Sequence, residues 1–243
     1  MKFSILLFFC FFCPIFAAKG FYGGGGDRSI SSSSSSESHE GGRGGRGGHG
    51  GRPRPPRPPV RPRPPRVKTN CPTDWMLFNR TQGNWCVKVF VGKGLNQVLA
   101  TAQCVAQGAV LTGLQTTEER LKVAEAAKTL VIQNGFATAT VWLGCKRKAA
   151  CPTVHICPAR DTFEWTDGQT TGYVGFEWAL TQPDASFRSD WGHQSCCHQF
   201  VFPSGTTSPV FPGFFHGQLD DMHCLEQWTI SDNKMYACGK LAT

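Results

Sequence analysis

The feature that most constrains the fold of this chain is a set of ten cysteines that begins at residue 71. They are Cys71, Cys86, Cys104, Cys145, Cys151, Cys157, Cys196, Cys197, Cys224 and Cys238. An even number of cysteines in a secreted chain indicates a disulfide framework. A zinc site is the alternative, but no two of these cysteines have the C-x2-C spacing that is typical of zinc ligands. We therefore expect five disulfides in a domain formed by residues 71–243.

The N-terminus of the chain predicts secretion. Lys2 is followed by an apolar run over residues 3–16 and then by small residues, which is the pattern of a secretory signal peptide. The run is short for a bilayer crossing, which takes about 20 apolar residues, although an uncleaved anchor is the alternative. Cleavage after Ala17 removes residues 1–17, including Cys10 and Cys13. We expect a secreted, extracellular protein without a membrane span.

The positive charge of the chain is concentrated in residues 18–70. The formal net charge is +8. Residues 19–70 contain eleven Lys and Arg against three Asp and Glu, whereas residues 71–243 contain thirteen against fourteen. The basic segment consists of a serine tract, a Gly/Arg block and a Pro/Arg block without apolar periodicity, so we expect it to be disordered. We interpret it as a linker, with attraction to anionic surfaces as the alternative. The nearly neutral domain gives no support for nucleic-acid binding.

The pattern of residues 71–243 predicts an α+β domain. Two short strands are predicted first, with the sequences WMLF and WCVKVFV, and then a helix over residues 95–107. A second helix is predicted from Thr116, where Glu119 three residues later completes a capping box, to Gly135. The chain then changes to short β-type segments separated by Gly, Pro, Asp and Ser. Two early helices followed by many short strands are typical of α+β folds.

Four short motifs follow one another along this domain. They are VWLG at residues 141–144, FEWTDG at 163–168, QPD at 182–184 and LDDMHC at 219–224. With these motifs and its cysteines, the domain resembles C-type lectin-like domains, in particular their secreted nematode members. The resemblance covers residues 71–240. It implies the C-type lectin-like fold, which has two helices, short antiparallel sheets, a long loop region and several disulfides.

The resemblance also implies how the cysteines pair. The implied bridges are Cys71–Cys86, Cys104–Cys238 and a local Cys151–Cys157. Cys224 is implied to pair with either Cys196 or Cys197, which leaves the other one for Cys145. Successive side chains of a strand point to opposite faces, so the adjacent cysteines cannot both reach the same partner. The sequence leaves open which is which, and we adopt Cys197–Cys224 with Cys145–Cys196 as the prediction.

The QPD motif matches the galactose-type members of the family, so the resemblance implies a calcium-dependent sugar site. The implied calcium ligands are Gln182, Asp184, Gln194, Asp220 and Asp221. Calcium takes six to eight oxygen ligands, and in the family two sugar hydroxyls complete its coordination. The implied sugar contacts are therefore Gln182, Asp184, Asp220 and Asp221, together with Trp191, or alternatively Phe187, stacked on a galactose-like ring. A cis peptide bond before Pro183 is permitted, and in the family it turns both flanking side chains toward the ion.

One departure from the family pattern concerns a missing carboxylate. The family has a Glu two residues before the cysteine of this loop, whereas this chain has Gln194 or Ser195 there. The alternative interpretation follows from this departure. The QPD motif would form only a turn, and the domain would be a calcium-independent protein-binding or matrix-associated module.

Other residues with functional potential give weaker indications. The histidines are scattered, without HExxH spacing, and there is no nucleophile elbow, so we expect no enzymatic activity. Asn79, Arg80 and Thr81 form a glycosylation sequon, and we expect a glycan on Asn79.

Overall fold

The computed structural model of the chain describes residues 70–92, 94–226 and 233–243. The predicted signal peptide, residues 1–17, lies outside these residues, and so do residues 18–69 of the predicted low-complexity segment. None of the helices in the described part combines the length and the apolarity that a membrane crossing would require.

The described residues form an α+β domain of two α-helices and eleven short strands. The helices are α1 (Gln97–Ala106) and α2 (Thr117–Gln133). The strands are β1 (Met76–Phe78), β2 (Trp85–Val91), β3 (Val110–Leu111), β4 (Ala139–Trp142), β5 (Cys145–Arg147), β6 (Phe163–Trp165), β7 (Phe187–Arg188), β8 (Gly192–His193), β9 (Cys196–Val201), β10 (Leu219–Met222) and β11 (Asn233–Leu241). Both predicted helices are present, within two residues of their expected ends.

Side-chain caps explain where the two helices begin. The Asn96 side chain accepts a hydrogen bond from the Leu99 amide at 2.9 Å, and the Thr116 hydroxyl accepts one from the Glu119 amide at 3.1 Å. Each bond satisfies a helix N-terminal amide that has no partner within its own helix. Only half of the predicted capping box forms, because the Glu119 carboxylate accepts from the Gln115 amide and does not cap Thr116.

The main sheet brings the two ends of the domain together. Its strands follow the order β1-β2-β11-β4-β9-β10, and β3 also pairs with β11. All neighbours are antiparallel except β11 and β4, which run parallel. Two hairpins stand outside this sheet, β5 with β6 and β7 with β8. Because β10 is the last strand in this order, its LDDM sequence lies at an edge of the sheet, next to the loops.

Three hydrophobic clusters fill the interior of the described domain, and two of them contain residues of β4. The main core contains α2 residues together with side chains from the main sheet, such as Val141 and Cys197, and from segments next to it, such as Leu143 and Phe163. A second cluster lies under α1 and contains fully buried Trp142. These two clusters draw on β4, which is buried along its whole length because side chains pack on both of its faces.

Three of the five disulfides in the structure are the bridges for which the resemblance implied a single pairing. The prediction for the adjacent cysteines, Cys196 and Cys197, is wrong. Cys145 pairs with Cys197, and Cys196 pairs with Cys224, which reverses the predicted Cys145–Cys196 and Cys197–Cys224. Both adjacent residues lie in β9, where side chains alternate between faces. Cys197 points into the main core with Cys145, whereas Cys196 points into the second cluster, against which Cys224 packs. The remaining bridges are Cys71–Cys86, Cys104–Cys238 and Cys151–Cys157.

A buried ion pair joins the β1–β2 turn to α2. The Arg80 guanidinium donates to both carboxylate oxygens of Glu119, from Nε at 2.9 Å and from Nη2 at 2.7 Å. It also donates to the Gly113 carbonyl and the Thr170 hydroxyl. The neighbouring Asn79 is exposed, so the sequon lies at the surface. The turn is therefore held by the side chain that follows the sequon asparagine.

Replacing Arg80 with Met should test this pair while keeping the sequon intact. The Glu119 carboxylate would stay buried without its counter-charge, so we expect the free energy of unfolding to fall by about 3–5 kcal/mol. Denaturant unfolding of the oxidised protein measures this loss. Lys122→Met is the matched control, because it removes the exposed pair with Glu118 and should change stability little. Equal effects of the two variants would contradict the importance of the buried pair.

Candidate functional site

The QPD motif lies in a long loop, residues 181–194, that includes the β7–β8 hairpin. The peptide bond between Gln182 and Pro183 is cis. Pro183 is buried, Gln182 is half-buried and Asp184 is exposed. The loop therefore presents one amide and one carboxylate at the surface, on either side of a buried proline.

Four of the five predicted calcium ligands meet around two backbone amides of this loop. The Asp184 amide donates to Gln182 Oε1 at 3.0 Å and to Asp221 Oδ1 at 3.0 Å. The Ser186 amide donates to Asp184 Oδ1 at 2.9 Å and to Gln194 Oε1 at 3.2 Å. The structure therefore brings together side chains that are separated by up to 39 positions in the sequence, from residue 182 to residue 221.

Asp221 is fully buried and paired with an arginine that the sequence analysis did not single out. Its Oδ2 accepts from the Ala185 amide at 3.0 Å and from Arg147 Nη2 at 2.5 Å. The side chains of Arg147 and Asp221 are 4% and 0% exposed. Both carboxylate oxygens are thus engaged by groups of the protein itself.

Arg147 links several segments through its remaining donors. Its Nε donates to the Gln194 carbonyl at 2.7 Å, and its Nη1 donates to the Cys151 carbonyl at 3.3 Å. The guanidinium also lies over the Phe163 ring, 4.8 Å from its centroid. A buried charge needs a counter-charge and a full set of hydrogen bonds, and Arg147 has both.

The strand geometry of β5 explains why Arg147 points inward. Side chains alternate along a strand, and Cys145 is buried in a disulfide. Arg147, two residues later, therefore shares the inward face, while Lys146 between them is exposed. The Arg147 amide also donates to the Ser195 carbonyl at 2.8 Å. An arginine two residues after a bridged cysteine is the sequence signal that could have revealed this pair.

Asp220 has an unusual protonation equilibrium. Burial, together with repulsion from Asp221 and Asp184, raises the pKa of the Asp220 carboxyl to about 8. His198 Nε2 lies 3.8 Å from its Oδ2. Burial also raises the pKa of Asp221, and this effect is opposed by Arg147 and by the two loop amides. The Asp220 carboxyl therefore binds a proton more strongly than an ordinary aspartate does.

As folded, the five predicted ligands do not fit a calcium ion as a set. Calcium needs six to eight oxygens, preferably from ionised carboxylates. Both Asp221 oxygens are engaged, burial and acidic neighbours disfavour the ionised form of Asp220, and Gln194 supplies a neutral amide. Gln182 and Asp184 remain with oxygens near the surface. Within the described ranges, no group of three or more His, Cys, Asp and Glu side chains is arranged to hold a metal ion.

The two aromatic candidates for sugar stacking differ in exposure. Trp191 is half-buried, and its ring centroid lies 5.6 Å from that of His223. The Arg188 guanidinium lies over the Trp191 ring, 4.2 Å from the ring centroid. One part of the indole surface is therefore already covered. Phe187 is 62% exposed, and its ring centroid lies 5.0 Å from that of His193. Stacking by either ring stays a prediction.

The raised pKa of Asp220 predicts a pH dependence of stability. In the unfolded chain an aspartate has a pKa near about 4, so the folded state holds a proton that the unfolded state releases. The stabilisation that this bound proton gives to the folded state is fully present below the pKa of the unfolded chain. It is lost as the pH rises through about 8, the pKa in the folded state. Asp220→Asn, a neutral isostere, should therefore gain in free energy of unfolding relative to the wild type between pH 5 and 8. Denaturant unfolding at several pH values measures the difference, and parallel pH profiles would contradict the assignment.

Several solved structures are similar to this chain. The human scavenger receptor C-type lectin carbohydrate-recognition domain is 19% identical with a TM-score of 0.44, and the alignment covers 71% of this chain and 99% of that domain. The cow carbohydrate-recognition domain of CD23, solved with a GlcNAc2Man3 oligosaccharide, is 17% identical with a TM-score of 0.43, covering 72% and 98%. A calcium-independent type II antifreeze protein is 24% identical with a TM-score of 0.40, covering 72% and 96%.

No curated protein sequence matches the chain significantly. A family model, by contrast, matches residues 72–241, which is most of the chain and nearly all of the domain. It describes the C-type lectin domain-containing protein 141/158. The chain therefore belongs to the C-type lectin domain family.

Proposed function

We propose that this chain is a secreted glycan-binding protein that recognises sugar at the 181–194 loop without calcium. C-type lectin domains bind carbohydrates and are typically not enzymes. Secretion is part of the proposal, supported by the signal-peptide pattern and by five disulfides, which persist in oxidising compartments. The observation that carries the proposal is the buried ion pair between Arg147 and Asp221.

The ion pair does for the loop what a bound cation would do. A cation near Asp221 would neutralise the carboxylate and draw the neighbouring oxygens together. Arg147 supplies one positive charge beside that carboxylate and donates to the carbonyls of Gln194 and Cys151. Because the guanidinium is planar and permanently charged, this arrangement does not need a bound cation. The loop is therefore folded in advance of ligand binding.

Groups that can contact a sugar remain at the surface of this folded loop. The exposed Asp184 carboxylate can accept hydrogen bonds from sugar hydroxyls, and such charge-assisted bonds are among the stronger ones. The Gln182 amide lies beside it. Phe187 or Trp191 can cover the apolar face of the ring, which is where aromatic side chains gain most from contact. Galactose-type sugars are the first ligands to test, because the QPD motif resembles that of the galactose-type members, although in those members calcium takes part in the recognition.

The second candidate is calcium-dependent galactose binding through Gln182, Asp184, Gln194, Asp220 and Asp221. The observation in its favour is the crowding of acidic groups around Asp220, whose pKa is raised to about 8 partly by its acidic neighbours. A divalent cation would relieve this repulsion. Against it stands the cost of removing Asp221 from Arg147, since a buried charge that loses its partner is strongly destabilising.

A glycan array probed in calcium and in EDTA separates the candidates. We expect galactoside binding of equal strength in both conditions, because Arg147 already holds the loop. Asp184→Asn should weaken binding by about 10–100-fold, the effect of losing a charged hydrogen-bond acceptor. Asp190→Asn is the matched control, an exposed carboxylate of the same loop that should bind like the wild type. Binding abolished by EDTA would contradict the proposal and support calcium. Binding to protein alone would indicate a protein-recognition module.

A further inference from the structure

We propose that the ligand is a neutral oligosaccharide, whose second sugar ring is held by the 151–157 loop on the far side of a groove that starts at the QPD motif. This inference rests on the proposed function and deepens it by naming the ligand class. The groove has a volume of about 540 Å³. Its opposing walls include Val154, His155 and Cys157 on one side and Thr181, Gln182 and Asp184 on the other.

The two walls are built into one rigid unit. The Cys151–Cys157 disulfide closes the 151–157 loop on itself. The Arg147 guanidinium then fixes both walls at once, because it donates to the Cys151 carbonyl on one side and to Asp221, which holds the Asp184 amide, on the other. Trp178 Nε1 donates to the Ala159 carbonyl at 3.0 Å, which anchors the chain just beyond the disulfide. A ligand bound at Asp184 therefore faces a second wall of fixed position.

The size of the groove exceeds the needs of one sugar ring. A hexose has twelve carbon and oxygen atoms. If each of these atoms with its hydrogens occupies at most the volume of one water molecule in the liquid, about 30 Å³, the whole sugar occupies no more than ~360 Å³. The groove offers about 540 Å³. A monosaccharide at Gln182 and Asp184 would therefore leave space beside the 151–157 loop unfilled.

The chemistry of the groove fits a second pyranose. Val154, Cys157 and Pro183 contribute apolar surface, whereas His155, Thr181 and Asp184 contribute polar groups. A pyranose has one apolar face and a rim of hydroxyls, so it matches walls of mixed character. The charge of Arg147 is neutralised by Asp221, which leaves Asp184 as the acidic group at the mouth. This balance disfavours sialylated or sulfated glycans and favours neutral ones.

The experiment measures the affinity of the full secreted chain for galactose and for a neutral tetrasaccharide that ends in galactose. We expect the wild type to bind the tetrasaccharide at least tenfold more tightly. Val154→Arg fills the groove from the exposed side of the 151–157 loop, so it should reduce tetrasaccharide affinity to that of galactose and leave galactose affinity unchanged. Ile156→Arg is the matched control, because Ile156 is 61% exposed in the same loop and does not line the groove. Unchanged thermal unfolding midpoints verify that both variants fold.

The outcomes separate this inference from the proposed function. Equal affinities of the wild type for galactose and for the tetrasaccharide would overturn the inference and leave glycan binding at Asp184 intact. A Val154→Arg variant that keeps the tetrasaccharide preference would also overturn it. If the wild type binds neither sugar, both the inference and the proposed function are wrong.

Discussion

The end of this domain that carries the proposed binding site depends on one buried ion pair, between Arg147 and Asp221. The guanidinium comes from β5, the carboxylate from β10, and the amides of residues 184 and 185 complete the pair from the loop between them. Arg147 also binds the carbonyls of Gln194 and Cys151. Two hairpins, a sheet edge and a disulfide-closed loop therefore meet at a single side chain. Because an unpaired buried charge costs several kcal/mol, none of these segments can move away independently.

The electrostatics of the site follow from this arrangement. Arg147 neutralises one carboxylate, whereas burial and acidic neighbours raise the pKa of the Asp220 carboxyl to about 8. Asp184 remains as the exposed acid of the motif. In the proposed function, recognition at this surface relies on directional hydrogen bonds from one carboxylate and nearby amides, next to apolar walls. Such a surface suits hydroxyl-rich, uncharged ligands.

Sequence reasoning reached the fold because its signals are local. Caps at Asn96 and Thr116, ordered motifs and cysteine positions each depend on neighbouring residues. The features that could not be predicted from the sequence depend on contacts between residues that are distant along the chain. The alternation rule places Cys196 and Cys197 on opposite faces but does not say which one faces the main core. The predicted capping box is incomplete because the Glu119 carboxylate accepts from the Gln115 amide and from Arg80, which lies 39 positions earlier in the sequence. Arg147 escaped notice because a three-residue strand is too short to show a period.

The thermal unfolding midpoint in calcium and in EDTA tests most directly whether Arg147 takes the place of a cation. In about 10 mM calcium, roughly ten to a hundred times the dissociation constant of many extracellular calcium modules, a working site would add about 1.4–2.7 kcal/mol of stability. A domain of this size would then melt about 3–8 °C higher. The account predicts the same midpoint for the wild type in both conditions, and a lower midpoint for Arg147→Gln that calcium partly restores. A wild-type midpoint that rises by several degrees with calcium would contradict it.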